Sequence, residues 1–422
     1  MKSCLFPFGV QMEEEIKKES LEIPQWLKFR KEKRKSPVYF IDIREKNLDL
    51  TAPEVQKVLN QKLKEIFQRL DLKNLKGPGV IKVHPGEPKN VTYLLPELVQ
   101  ADISFLKEKG IDCVIGDTTV IYSGPRGGEN NPANNVSSYM SVIDHNRWSK
   151  KHTGVPFVIL DRPVTSVPGI IEFNEEEVLH YVDSPGYYKY VHIAGGIDKA
   201  GVIFNNAHLT MHGLSPLALC VKGLAMGGAG KKGKLQIHAN LIVKINSELC
   251  KRCGTCAKNC PSRALKYDNC SGQVHRTSIP ILIEEKCMGC GECLAVCPAK
   301  AIEMVHRQAI RWGKGADTFP RRLADFLINM MNGKWERLVN IGHLYRVTSN
   351  CDCVSRPQKP IFSDIGLIVS RNPFALDMLA ARLFEEQVKK EKVNYSLGNY
   401  ASVFEYVRDD YGIIVEPEVI KV

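Results

Sequence analysis

Two stretches decide how this chain is read: Cys250-Lys-Arg-Cys-Gly-Thr-Cys-Ala-Lys-Asn-Cys-Pro261 and Cys287-Met-Gly-Cys-Gly-Glu-Cys-Leu-Ala-Val-Cys-Pro298. Both are C-x2-C-x2-C-x3-C-P. Every cysteine of the first recurs 37 residues later, as Cys250/Cys287, Cys253/Cys290, Cys256/Cys293 and Cys260/Cys297. Three thiols at two-residue intervals in a tight loop can wrap one corner of a metal–sulfur cube, each binding a different metal atom. The fourth thiol must arrive from elsewhere in the chain.

This is the spacing of bacterial two-cluster ferredoxins, where the fourth cysteine of each run binds the other cluster. The expectation is two 4Fe–4S clusters that move single electrons. One falls to Cys250, Cys253, Cys256 and Cys297, the other to Cys287, Cys290, Cys293 and Cys260. Zinc is the rival metal, but structural zinc sites use paired C-x2-C knuckles and four ligands per ion. Three-plus-one runs, each closed by Cys-Pro, do not fit that scheme. The flanks repeat as well: strand-like Leu241–Asn246 and Ile281–Glu284 precede the runs, and Ser262–Lys266 and Ala299–Val305 follow them, as a duplication requires. The turn cluster Asp268-Asn269-Cys270-Ser271-Gly272 joins the halves, and Cys270 stands outside the ligand set as a plain thiol.

At 422 residues the chain is long enough for two or three domains, and the repeat occupies only 241–308. With 44% hydrophobic residues the remainder should bury a sizeable core. Fourteen cysteines, eight of them assigned, fit a reducing interior better than a disulfide scaffold. No apolar run approaches the roughly 18 residues of a membrane span, and Met1–Gln11 is no convincing targeting signal. A cytoplasmic location is expected. The net charge is +11, drawn partly from Lys28–Lys35 and partly from Lys231, Lys232 and Lys234. Basic runs engage nucleic acid or steer acidic redox partners. A solvated face is the commoner use, and a nucleic-acid partner is set aside.

Outside the repeat, strand-like and helix-like segments alternate. Val38–Ile43 reads as a strand. Thr51-Ala-Pro-Glu54 then makes a capping box, with Thr51 as N-cap, opening an amphipathic helix that runs to about Leu72. Val80–Val83 is a strand, Pro96–Lys109 a helix, and Cys113–Ile115 a strand entering the turn Gly116-Asp117-Thr118-Thr119. Pro156–Leu160, Tyr190–Ile193 and Val202–Phe204 are further strands. Beyond the repeat come helical stretches at Arg321–Met331 and Trp335–Val339, then a buried strand at Ile365–Val369. Asn372-Pro373 opens a helix through about Lys390. Such alternation predicts an α/β domain on a partly parallel sheet with flanking helices, interrupted by an inserted α+β ferredoxin-like domain. The predicted division is a basic extension 1–36, the first α/β part 37–240, the insertion 241–308 and the second α/β part 309–422.

Three further constellations carry chemistry. Gly228–Lys234 nearly spells a P-loop, but Leu235 stands where magnesium needs Ser or Thr, and helical Leu217–Met226 precedes it instead of a strand. Nucleotide hydrolysis is excluded; what is left is a flexible basic loop, or one holding another anion. His208 and His212 would lie roughly 13 Å apart in a strand but converge on a helix or turn. Beside Lys222 they form a candidate proton-handling site, with ordinary hydrogen-bonded histidines at a strand end as the commoner reading. Cys351-Asp352-Cys353 offers two thiols that can chelate a soft metal, act as a redox pair or be plain core residues.

These segments together resemble the prokaryotic iron–sulfur proteins grouped as domain of unknown function 362, in the branch with a ferredoxin insertion. The resemblance rests on Val80–Glu87, Asn90–Tyr93 with Pro96-Glu97, and Gly116–Thr119 with Tyr122 and Arg126. It continues through His208–Gly213, Lys222–Gly227 and Gly233–His238. It ends on Cys351–Cys353, Asp364–Gly366 and Ser370–Pro373 with Ala375 and Asp377. The family usually has Lys-Asn where this chain has Lys222-Gly223, and phenylalanine in place of Pro85; residues 1–36 take no part. The resemblance implies the inserted architecture and favours His208, His212, Lys222, Cys351 and Cys353 as site residues. It implies no reaction. The expected function is transfer of low-potential electrons to a small-molecule substrate or cofactor in the α/β domain. The alternatives are a carrier or adaptor for a redox partner protein, or a factor passing iron, sulfur or another metal through Cys351 and Cys353.

Overall fold

The computed structural model describes residues 19–31, 33–44, 48–72, 75–121, 124–127, 136–188, 190–212, 214–238, 241–260, 263–267, 278–287, 293, 296–306, 318–398 and 400–422. Its centre is an eight-stranded sheet: β1 (Lys35–Asp42), β2 (Gly79–Lys82), β3 (Cys113–Asp117), β4 (Phe157–Ile159), β5 (Val202–Thr210), β6 (Leu338–Thr348), β7 (Gly366–Ser370) and β8 (Glu416–Lys421). The spatial order is β8-β1-β7-β6-β5-β2-β3-β4. Only β7 runs against its neighbours in this sheet; all other adjacent pairs are parallel. The expected α/β class with a partly parallel sheet is therefore the one observed.

Parallel strands covered on both faces read as continuous apolar runs, and β2, β3 and β5 are buried at every position. Alternate side chains feed two separate cores. Val80, Val114, Val158 and Ile203 point to one, and Ile81, Ile115, Ile159 and Phe204 to the other. The second core is closed by α1 (Pro53–Arg69), α2 (Gln100–Glu108) and α3 (Val136–His145). The first is closed by α4 (Cys220–Gly228), α5 (Lys231–His238), α6 (Thr318–Met330), α7 (Pro373–Glu391) and α8 (Ala401–Tyr411).

This division places the site. From β2 the chain goes through α2 on one face to β3 and β4; it then returns to β5, beside β2, and leaves through α4 on the other face. Where successive connections depart to opposite faces, a crevice opens at the carboxyl ends of the strands. Here that point lies between β2 and β5.

Two local readings need correction. The capping box at Thr51 does not form: α1 starts at Pro53, and its Ala52 N-cap makes no side-chain bond. Asp49 instead binds the Thr51 N–H (2.9 Å) and hydroxyl (2.7 Å), closing a turn on itself. Trp335–Val339 is not a helix; one short 3-10 turn, Trp335–Arg337, leads into β6. β6 is buried almost throughout, and a strand covered on both faces lacks the alternation that separates strand from helix. The Asn372 cap is present, its side chain accepting from the Phe374 and Ala375 N–H groups at 3.0 and 3.2 Å. Residues 19–31 pack onto the body: Leu27 is fully buried and Glu19–Ser20 pairs with the strand Glu177–Asp183.

The Cys-rich repeat lies in sequence between β5 and β6 and forms a small unit with its own core of Val243, Cys256, Leu265, Cys293 and Ile302. Its halves exchange strands. Leu241–Ile245, which opens the first half, pairs antiparallel with Ile302–His306, which closes the second; Leu265–Lys266 and Ile281–Leu282 pair in the same way.

Candidate functional site

A cavity of about 150 Å³ lies at the carboxyl ends of β2, β3 and β5, beneath α4 and α5. Lys82 ends β2 and Asp117 ends β3, with Nζ and Oδ1 3.4 Å apart and both side chains buried. Arg126, fully buried, bonds Asp117 Oδ2 (3.3 Å), Glu87 Oε1 (2.9 Å) and His84 Nε2 (3.2 Å). Asp117 thus compensates two buried cations, as burial of charge demands. Burial still draws Lys82 below the ordinary lysine value, against the pull of Asp117. Burial, reinforced by Arg126, Lys82 and Lys222, pushes His84 far down, so it is neutral.

The opposite wall comes from α4 and α5. Gly227 lets α4 lie on Lys82: a Cβ there would sit 2.1 Å from the Lys82 Cε and Nζ. Two backbone N–H groups at the head of α4, Cys220 and Val221, are held by Asp377 at 3.0 Å each. The α5 segment corrects the expectation of a flexible basic loop. Its Lys234 is buried and donates to Thr118 Oγ1 and the Ala229 carbonyl, both at 2.6 Å. Desolvation brings Lys234 down to about 8. His238, pushed down to about 4 by burial, donates Nδ1–H to the Lys234 carbonyl at 2.7 Å.

The third wall is the loop after β6, with Cys351, Asp352 and Cys353. Asp352 points inward, binding His208 Nδ1 at 2.7 Å and accepting from Asn90 Nδ2 at 3.3 Å. Its carbonyl accepts the Glu87 N–H at 3.2 Å. The loop is clamped, and its two sulfurs line the cavity. Lys222 Nζ reaches Cys351 Sγ at 3.5 Å, and the Cys353 backbone N–H reaches the same sulfur at 3.4 Å. The Cys353 thiol donates to Cys351 and, with Lys222, lowers it to about 6 despite burial. The same bond, with burial, drives Cys353 far upward. Burial works against Lys222, but the neighbouring Cys351 and Cys353 sulfurs win and raise it. One thiolate, one thiol and one ammonium result.

In the Cys-rich unit, Cys250, Cys253, Cys256 and Cys297 line one cavity of about 20 Å³. That is the set expected for the first cluster. Among the described residues, no group of three or more His, Cys, Asp or Glu side chains is placed to hold a metal ion. Cys260, Cys287 and Cys293 of the second set are described, whereas Cys290 and Cys270 lie outside the described residues. Equivalent contacts recur across the repeat. Ala264 N–H donates to Cys260 Sγ at 3.2 Å, and Ala301 N–H to Cys297 Sγ at 3.3 Å. Arg263 and Lys300, also 37 apart, share a left-handed backbone with φ of 52° and 49°. Ile283 N–H reaches the Ala264 carbonyl and Asn246 N–H the Ala301 carbonyl, both at 2.8 Å.

A family model for a domain of unknown function (DUF362) matches residues 80–382. The chain belongs to this family. The DUF362 match begins in β2 and ends in α7, so it takes in every residue that lines the strand-end cavity. No curated protein and no solved structure matches the chain. Among the described residues, no helix is long and apolar enough to cross a membrane.

All five candidate residues of the α/β part, His208, His212, Lys222, Cys351 and Cys353, line this cavity. Their roles separate. His208 sits on β5 with Nδ1 on Asp352 and Nε2 on the Tyr345 carbonyl, both at 2.7 Å. With both nitrogens engaged it ties β5 to the Cys351–Cys353 loop, as a hydrogen-bonded histidine near a strand end does. His212, beyond the strand end, accepts the Leu214 N–H through Nδ1 at 3.1 Å. Burial holds His212 far below the ordinary histidine value, so its Nε2 carries the proton. Sequence reasoning passed over Lys82, His84, Asp117, Arg126, Lys234, His238 and Asp352 as site residues. The available signal was position: Lys82 and Asp117 are charged residues closing otherwise apolar strands.

Proposed function

We propose that this chain is an iron–sulfur redox protein. In this reading it takes up electrons at two 4Fe–4S clusters, held by the eight cysteines of the repeat, and passes them to a ligand in the strand-end cavity. The observation that carries it is the duplicated C-x2-C-x2-C-x3-C-P spacing. The convergence of Cys250, Cys253, Cys256 and Cys297 on one small cavity supports it, as does the N–H···S contact repeated in each half. The donor set is all thiol, buffered by backbone N–H groups, which fits a cluster better than a hard cation. A bound 4Fe–4S cluster supplies one-electron transfer at low potential. The chain's own residues do the rest. Cys253 is exposed, so a reduced partner protein in a reducing, cytoplasmic setting has a short route in. At the cavity, Lys82, Arg126, Lys222 and Lys234 attract and orient an anionic ligand. His212 presents Nε2–H as a proton source.

EPR of the anaerobically reconstituted, dithionite-reduced protein tests this reading. The expected spectrum has two magnetically interacting S = 1/2 centres, reduced to a single isolated centre by Cys256→Ser. A wild-type protein without any reduced paramagnetic centre contradicts the proposal.

A further inference from the structure

The strand-end cavity carries more than a place for electrons to arrive. Cys351 Sγ faces three donors at once: Lys222 Nζ at 3.5 Å, the Cys353 N–H at 3.4 Å and the Cys353 thiol. Its loop is immobilised from both sides, by the bonds of Asp352 to His208 and Asn90 and by Val354 N–H on the Cys351 carbonyl at 3.0 Å. The surrounding wall is electropositive. Lys82, Arg126, Lys222 and Lys234 meet three carboxylates, all of them occupied: Glu87 by Arg126, Asp117 by Lys82 and Arg126, Asp352 by His208. Lys234 donates to two neutral oxygens, and the Asp161 and Asp117 carboxylates nearby offset only part of its burial, so an added anion would be favoured there. Val120, Ile121, Leu219 and Met226 supply an apolar side.

We propose that Cys351 is a nucleophile in a binding site for small organic anions, carboxylates or phosphate esters, that carry an electrophilic carbon. The anionic group lies against the lysines and the apolar body against the α4 side. In the covalent step the Cys351 sulfur attacks the carbon, an S–C bond forms, and the leaving group departs with its bonding pair; no electron is gained or lost. The burial of Cys351 excludes bulky reagents, whereas a cavity of about 150 Å³ admits one of a few non-hydrogen atoms. The site needs neither cluster, so it stands or fails separately from the iron–sulfur reading.

The test is alkylation of the full-length protein under anaerobic conditions with iodoacetate and, separately, its neutral counterpart iodoacetamide. Peptide mass spectrometry reads Cys351, and each rate is divided by that of glutathione. The charged and titratable groups facing Cys351 are Lys222 from α4 and Asp352 and Cys353 from its own loop. The expected result is a relative rate about tenfold or more higher for iodoacetate, from attraction into a cationic cleft, with half-maximal rate near pH 6. Lys222→Gln should move that midpoint up by about one pH unit or more and shrink the preference for iodoacetate. Should that variant not fold, inorganic phosphate on the native protein replaces it and should slow iodoacetate at Cys351. Buried Cys113, a thiol pushed up to about 12 and outside the cavity, is the internal control. Equal relative rates for the two reagents, no protection by phosphate, or modification of Cys351 no faster than of Cys113 would each overturn the proposal.

Discussion

In the Cys-rich unit, chemistry-bearing side chains recur every three or four residues, and among the described residues Val243, Leu265 and Ile302 pack with Cys256 and Cys293 in its core. In the strand-end cavity, the partners come from distant parts of the chain. His208 meets Asp352 across 144 positions, and Lys222 meets Cys351 across 129. The first region is written as a local pattern, and its thiols range from buried to exposed. The second exists only once the sheet is assembled, and it pays for its buried charges with ion pairs that a folded sheet alone can align. The lesson is that spacing announces a ligand set, whereas topology announces an electrostatic site.

The contrast can be broken at its strongest point. Arg126→Met removes a fully buried guanidinium together with its bonds to Glu87, Asp117 and His84, so it should cost about 3–5 kcal/mol in urea unfolding of the whole chain. A loss under 1 kcal/mol would mean that the network behaves as a surface one.

Lys234 offers a pH test. Its ammonium sits near 8 in the fold against an ordinary 10.5. Between those values the unfolded chain binds more protons, so stability rises with pH; below about 8 the burial cost is felt in full. Relative to Lys234→Met, the wild type should gain about 3 kcal/mol from pH 8 to 10.5, read by urea midpoints. A flat difference would show the charge to be solvated.

Asp352→Asn weakens the clamp on the Cys351 loop. It should cost about 1–3 kcal/mol and lower the pH midpoint of Cys351 alkylation, because the Asp352 carboxylate pushes that thiol up, with amide exchange of Cys353 N–H as the second readout. At the small end, Cys253→Ser alters an exposed side chain. It should change urea stability of the main sheet by less than about 0.5 kcal/mol while removing one cluster's share of iron. A large stability loss there would tie the two regions together.

How much was legible follows the same division. The buried strands Val80–Val83 and Ile365–Val369, the Asn372 cap and the five cavity candidates stood in the sequence because each has a local signature. Asp49 defeated the Thr51 cap by offering a closer acceptor, and Trp335–Val339 had no period to betray a strand. Arg126 and Asp352 were invisible as site residues because their meaning lies in partners 39 and 144 positions away. Lys234 was misjudged because a basic, glycine-rich run looks solvent-exposed until α5 forms and carries Lys234 to Thr118, just past β3.

The most direct check on the central claim is a count of iron, acid-labile sulfide and zinc in the full-length protein purified and reconstituted without oxygen. The account predicts about eight iron and eight sulfide per chain. About two zinc ions with no sulfide would contradict it.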